Sequence, residues 1–502
     1  MRPGETRPSV DVRGIARGGS ANLLGAIVSQ AGALTVTMLL ARSFGEAAVG
    51  VYAQAFAFIP LLGLLALAGF RAGMTRFVAM YRAAGDDAAV VGTVRLGLAA
   101  SLLAGGVLGG ALALGSGWLA RLLDEPAVAG PLRIVAVALP VNVVTEAALS
   151  ATQGFRTMRY FAGIGLVFEP AVRTAATALF LTAGLGVEGA LGAVIVSNVL
   201  ACTAACVALA RMLPRPAGPV RYPLREVLSF SVVSWVASLA ATGVTYLDVL
   251  VIGSLMTSAD VGLYQVATRA VMIAYATMLP IVQAVSPRLA DAHGRRDRAA
   301  LRDTYRLATS WIIRTSLPVF VVLVTFPTEV LGLFGEPFRA GAAVTVVLAV
   351  GKLVDAATGP CGLVLNMAGR IRTNMVNNVV ALALNVALLL VLVPRHGIVG
   401  AAIAWTVTLV VVNTARVAQV TRAFGFRPFD ATTVEAFAPA AVALAVLHLL
   451  VAAGTAVHLV GGILVTLGVF IVAYLLRGAP AEDLALLEAL RARRGGTAAR
   501  PS

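Results

Sequence analysis

Residues 47–52 read AAVGVY, and 212 positions later residues 259–264 read ADVGLY. Ala47, Val49, Gly50 and Tyr52 thus return as Ala259, Val261, Gly262 and Tyr264. Outward from that pair the match continues: Thr93, Arg95 and Leu96 return as Thr304, Arg306 and Leu307, and Gly186, Gly189 and Ala190 return as Gly397, Gly400 and Ala401. The last two blocks are 211 apart, and three blocks at an offset of 211 to 212 mark an internal duplication.

The duplicated unit is apolar throughout. With 59% hydrophobic and 13% charged residues and a mean hydropathy of +0.90, the chain reads as an integral membrane protein. Lipid offers backbone groups no partner, so a span must be a helix of about 20 apolar residues. That rule predicts an all-α fold of about fourteen transmembrane helices: 18–41, 48–70, 90–115, 131–152, 160–183, 187–210, 228–252, 261–287, 306–326, 340–366, 373–393, 397–421, 433–453 and 457–476. Continuous apolar runs, without the alternation of a β-barrel, exclude the other membrane architecture. The first run is too long for a signal-peptide core and is expected to remain as an anchor.

Arginines cluster in every second loop, among them Arg156 and Arg159, Arg295 and Arg296, and Arg370 and Arg372. Positive-inside bias then places both termini in the cytoplasm. The formal charge of +15 is this bias plus attraction to anionic membrane lipids, and nucleic-acid binding is not implied. Six spans separate each residue from its repeat, an even number, so the copies are parallel. The expected organisation is a cytoplasmic basic tail (1–17), an N-terminal six-helix lobe (18–211), a linker (212–227), a C-terminal six-helix lobe (228–423), two extra helices (424–477) and a cytoplasmic tail (478–502). Parallel halves of this kind hold a substrate path at their interface and alternate access by rocking.

Every loop is short, so function lies among the helices and an enzyme is not expected. Cys202, Cys206 and Cys361 fall inside spans without partner ligands, and His293, His396, His448 and His458 are scattered. With no Walker loop either, no metal and no cofactor are predicted.

A charge near the bilayer centre costs at least about 2.5 kcal/mol and needs compensation. Glu169 and Arg173 stand at i and i+4, and Lys352 and Asp355 at i and i+3; each is readable as a self-neutralising pair or as a cavity lining. Lys352 is the single lysine beside 38 arginines. Arg269 and Arg314 have no opposite charge within four positions, so each snorkels or faces a cavity, a neighbouring lobe or an anion. Asp248 and Glu146 stand near span ends as anchors for such cations or as proton sites. Arg71, Arg76 and Arg288 are candidates for a gate as well as for ordinary positive-inside placement; Arg288 repeats Arg76. Asn374, Asn378 and Asn385 share one helical face, suiting a polar lining or interhelical hydrogen bonds.

The stretch NLLGAIVSQAGALTVTMLLARSFGEAAVGVYAQA (22–55), followed by GFRAGMTRFVAMYRAAGDD (69–87) and later TYLDVLVIGSLMTSADVGLYQVATRA (245–270), resembles the polysaccharide-transporter branch of the multidrug/oligosaccharidyl-lipid/polysaccharide exporter superfamily. The resemblance implies a flippase of the bacterial cytoplasmic membrane that carries polyprenyl-pyrophosphate-linked oligosaccharide to the outer leaflet, beside glycan assembly proteins. The acidic residue of the family's acidic-basic pattern matches Asp248, but Val249 replaces its basic partner. A cation-coupled antiporter of the same superfamily and a non-transporting scaffold of a glycan assembly complex are the alternatives.

Overall fold

The computed structural model describes residues 12–216, 218–429, 435, 437–452 and 458–477. Most of the two expected tails, and part of the segment before the last two helices, lie outside them. Among the described residues the chain is helical with no strand, and nine helices are long and apolar enough to cross a membrane.

Helix α1 (Val12–Leu67) contains the first expected span and all but the last three residues of the second. It is not one rod: Gly45 has φ +78°, a left-handed conformation that glycine adopts without a Cβ clash and that breaks the helix between the runs. Likewise α14 (Ile371–Phe424) would be about 81 Å long as a straight helix, far beyond the roughly 30 Å of bilayer hydrocarbon. It breaks at Gly397, φ +59°. Between them run α2 (Phe70–Ala83), α3 (Asp87–Leu122), α4 (Ala129–Gly154), α5 (Glu169–Thr182), α6 (Gly186–Met212), α7 (Leu224–Leu255), α8 (Ser258–Ala276), α9 (Met278–Gly294), α10 (Arg298–Thr325), α11 (Pro327–Gly332), α12 (Ala342–Thr358) and α13 (Cys361–Met367). Helices Ala438–Ala452 and Leu459–Arg477 complete the order. The expected span 261–287 is thus divided into α8 and α9, and 340–366 into α12 and α13 at Gly359, φ +63°.

The duplication is legible in the backbone. Asp86 accepts a hydrogen bond from the Ala89 amide at the start of α3, and Asp297 accepts one from Ala300 at the start of α10, 211 residues on. Such a cap satisfies one of the amides a helix start leaves unpaired. Just before each cap stands a left-handed residue, Gly85 (φ +72°) and then Arg296 (φ +58°). Gly186 and Gly397, partners at the same offset, adopt φ +57° and +59°.

Helices α1 to α6 pack chiefly on one another, as do α7 to α14, and the two sets meet where α1 lies along α8 and α7. There Val36, Leu40, Val49 and Ala53 of α1 join Val261, Tyr264, Ala267 and Ala270 of α8 in one buried cluster. Between membrane helices lipid removes the hydrophobic drive, so close approach through small residues supplies the attraction. At Gly50 and Gly262 the approach is closest: a Cβ on Gly50 would strike the carbonyl oxygen of Ser258, and one on Gly262 the carbonyl oxygen of Glu46.

Candidate functional site

A cavity of about 570 Å³ lies in this seam, lined by residues of α1, α5, α7, α8, α12 and α14 and therefore by both sets of helices. Three cations reach it: Arg173, Arg269 and Lys352. Asp248 is the carboxylate among the lining residues, and Tyr52, Phe56, Tyr246 and Trp405 supply aromatic faces.

The three cations are held in different ways. A π-helical stretch, Phe161–Phe168, precedes α5 and ends where Glu169 begins; such extra-wide turns shift the register of the adjoining helix and recur at functional sites. Arg173 Nη1 stands 3.6 Å from Glu169 Oε1, which also accepts from Ser197 Oγ at 3.0 Å, and its guanidinium lies 5.5 Å from the centre of the Phe56 ring. Lys352 is 8% exposed. Its Nζ is 2.9 Å from Asp355 Oδ2 and 5.2 Å from the Trp405 ring centre.

Arg269 differs. Among the described residues no carboxylate lies within ion-pair distance of it; with the Gln265 amide turned to present its oxygen, that oxygen accepts from Nε at 3.1 Å and from an Nη at 3.2 Å. Arg269 is therefore the lining cation whose charge is least neutralised by the protein. Asp248 is held apart from it: Tyr264 Oη donates to its Oδ2 at 2.8 Å and the Val249 amide to its Oδ1 at 2.8 Å. A basic residue at 249 is not needed to satisfy this carboxylate.

Of the remaining sequence candidates, two support the lining cations and the others lie elsewhere. Glu169 and Asp355 stand behind the cations as their counter-charges. Asn374 donates to Asn366, Asn378 accepts from Arg416 Nη2 at 2.6 Å, and neither lines the cavity. Arg314, half-buried on α10, does not line it either. Arg71 pairs with Glu146 at 3.6 Å, while Arg76 and Arg288 are exposed in the middle of α2 and α9 and do not line the cavity. The sequence reading passed over Arg416 and Asn413. Arg416 satisfies the criterion that singled out Arg269, a charge within an apolar run, and it belongs to a hydrogen-bonded chain reaching Asp355. The cavity's aromatic residues carried no sequence signal, because aromatic side chains are ordinary in membrane cores.

Both ends of the seam carry polar contacts between the two sets. At one end Gln54 donates to Ser258 Oγ at 3.1 Å, and Ser258 donates to Glu125 at 2.7 Å. At the other, Tyr81 donates to Glu226 at 2.5 Å and Arg221 pairs with Asp86 at 2.8 Å. The Tyr81 phenol lies outside the spans; burial, reinforced by the bond to Glu226, pushes it up to about 12.

Comparison with known proteins places the chain in a family. A family model described as polysaccharide biosynthesis protein matches residues 15–293, and a MatE model matches 234–391. A probable low-salt glycan biosynthesis flippase, Agl15, of Haloferax volcanii is 23% identical over 188 residues, which span 37% of this chain and 40% of that protein. The alignment thus covers two fifths of the relative's length. Among solved structures, the lipid II flippase MurJ in an inward closed conformation superposes with a TM-score of 0.73 at 13% identity, over 90% of this chain and 97% of that one. An inward-facing multidrug resistance MATE transporter superposes with 0.65 at 16% identity, over 83% and 96%. At such identities the structures establish a shared fold.

Proposed function

Because this chain belongs to the polysaccharide biosynthesis protein family, we propose that it is a flippase which moves a polyprenyl-pyrophosphate-linked oligosaccharide from the inner to the outer leaflet. Two six-helix lobes, 18–211 and 228–423, joined by the linker 212–227, rock about the seam at α1 and α8. The segment 424–477 adds two helices, giving fourteen spans with both termini in the cytoplasm. The carrying observation is the cavity between the two sets of helices, into which Arg173, Arg269 and Lys352 project.

A pyrophosphate leaving water must have its hydration replaced by charge-assisted hydrogen bonds, and Arg269 offers a guanidinium not committed to a carboxylate. Arginine suits this task because its planar fork matches phosphate oxygens. The aromatic faces of Tyr52 and Trp405 suit the sugar, and the polyprenyl tail stays in lipid. An interior-negative potential favours outward movement of the negative head group by about 2.3 kcal/mol per charge per 100 mV.

The MatE match over 234–391 keeps a cation-coupled antiporter in view, but a cationic drug would meet three cations in this cavity. Scaffolding of glycan assembly proteins requires no charge in the membrane interior. Purified protein in vesicles, supplied with a fluorescent polyprenyl-pyrophosphate oligosaccharide, tests the reading: the probe should become accessible in the opposite leaflet faster than in protein-free vesicles. Equal rates would refute it.

A further inference from the structure

Lys352 is held between two partners of different kinds. Asp355 takes its charge at 2.9 Å, and the Trp405 face lies on its cavity side. A lysine is a point charge on a flexible stem, able to move between acceptors a few ångströms apart. The obstacle is Asp355: removing one member of a buried ion pair strands the other, which is more costly than the pair is favourable.

The structure contains a second support for that carboxylate. Asn413 Nδ2 donates to Asp355 Oδ1 at 2.8 Å. The other end of the same amide, Asn413 Oδ1, accepts from Arg416 Nη1 at 3.0 Å, and Arg416 Nη2 donates to Asn378 at 2.6 Å. Arg416 thereby fixes which end of the Asn413 amide faces Asp355 and brings a positive charge behind it. Among the described residues Arg416 Nε has no hydrogen-bond partner, so the guanidinium is held through its two Nη groups.

Resting on the reading of the cavity as a pyrophosphate site, the geometry points to Arg416 as a positioning residue that releases Lys352 from Asp355 to the anionic head group. When Lys352 swings toward the ligand, Asp355 keeps its bond from Asn413 and remains in the field of Arg416. Without Arg416 the carboxylate depends on Lys352, and the lysine stays pinned. The site would then have two modes of cation: Arg269, standing open to the ligand, and Lys352, recruited by it.

Titration calorimetry of the purified full chain with farnesyl pyrophosphate tests this as a double-mutant cycle. Arg416→Gln should weaken binding about tenfold, Asp355→Asn should tighten it about threefold by unpinning Lys352, and the double variant should match Asp355→Asn alone. Arg416→Lys, which keeps the charge, should recover most of the affinity. An Arg416→Gln loss that persists unchanged in the Asp355→Asn background would overturn the proposal, as would wild-type affinity in Arg416→Gln. Should Arg416→Gln fail to fold, Asn413→Ala breaks the same link and must show the same dependence on Asp355. Failure of the underlying reading looks different: the wild type would not bind the probe, or Arg269→Gln would bind it equally well.

Discussion

Gly50 and Gly262, equivalent positions of the two repeats, pack against each other's helices reciprocally. Gly50 abuts the carbonyl of Ser258 and Gly262 that of Glu46, and Glu46 and Ser258 are themselves 212 residues apart. A contact in which residue i meets j while the equivalent of j meets the equivalent of i is what a two-fold axis produces. The duplicated chain has kept, within one molecule, the contact of a symmetric dimer.

That reciprocity makes a paired prediction. Gly50→Leu and Gly262→Leu each force a side chain into backbone, and overpacking of this kind costs about 1–3 kcal/mol. Both variants should lower thermal stability in detergent by similar amounts and impair transport alike. A large effect from one and none from the other would show that the two sides of the contact are not equivalent.

Arg269 should dominate the grip on the head group. Hydrogen bonds to charged groups contribute about 1.5–3 kcal/mol, and each 1.4 kcal/mol is about tenfold in affinity. Arg269→Gln is therefore expected to reduce export of surface glycan by one to two orders of magnitude with protein levels preserved. Quantifying surface glycan against membrane abundance checks this, and unimpaired export would remove Arg269 from the path.

Tyr264 holds Asp248 across α7 and α8. Tyr264→Phe leaves the buried carboxylate short of a donor, at a cost of about 1–3 kcal/mol, whereas Tyr264→Phe combined with Asp248→Asn should recover part of it. Chemical or thermal unfolding of the three variants measures the difference. An additive loss in the double variant would contradict the pairing.

The linker contact should respond to alkali. The unfolded Tyr81 phenol ionises near 10, and the folded one is pushed up to about 12. A folded-state value above the unfolded one stabilises the protein fully below about pH 10 and loses that contribution as pH rises toward about 12. The stability gap between wild type and Tyr81→Phe should be flat up to about pH 10 and shrink above it. A gap that widens with alkali would place the phenol elsewhere.

The sequence reading located the helices well, because an apolar run of bilayer length has few alternatives in lipid, and it located the breaks less well. Gly45 and Gly397 interrupt apolar runs that the spans at 48 and 397 anticipated, but the division of 261–287 between α8 and α9 at Thr277 follows no composition change. Among the charges, Arg269, Lys352 and Arg173 stood out as costly in the membrane, and all three line one cavity. The same criterion drew attention to Arg314, which does not line it, and Arg416 escaped notice near the end of its run.

The amino-acid order alone determined the solvent, the helical class and the twofold repeat, since each comes from local hydropathy or from comparing the chain with itself. Which charges meet, and across what gap, was decided only by the fold. Lys352 and Arg416 are 64 positions apart and linked through Asp355 and Asn413, and the two repeats touch at Gly50 and Gly262. Contacts of that kind depend on the rotation and approach of whole helices, which in a membrane are set by packing at many small residues together rather than by any one of them.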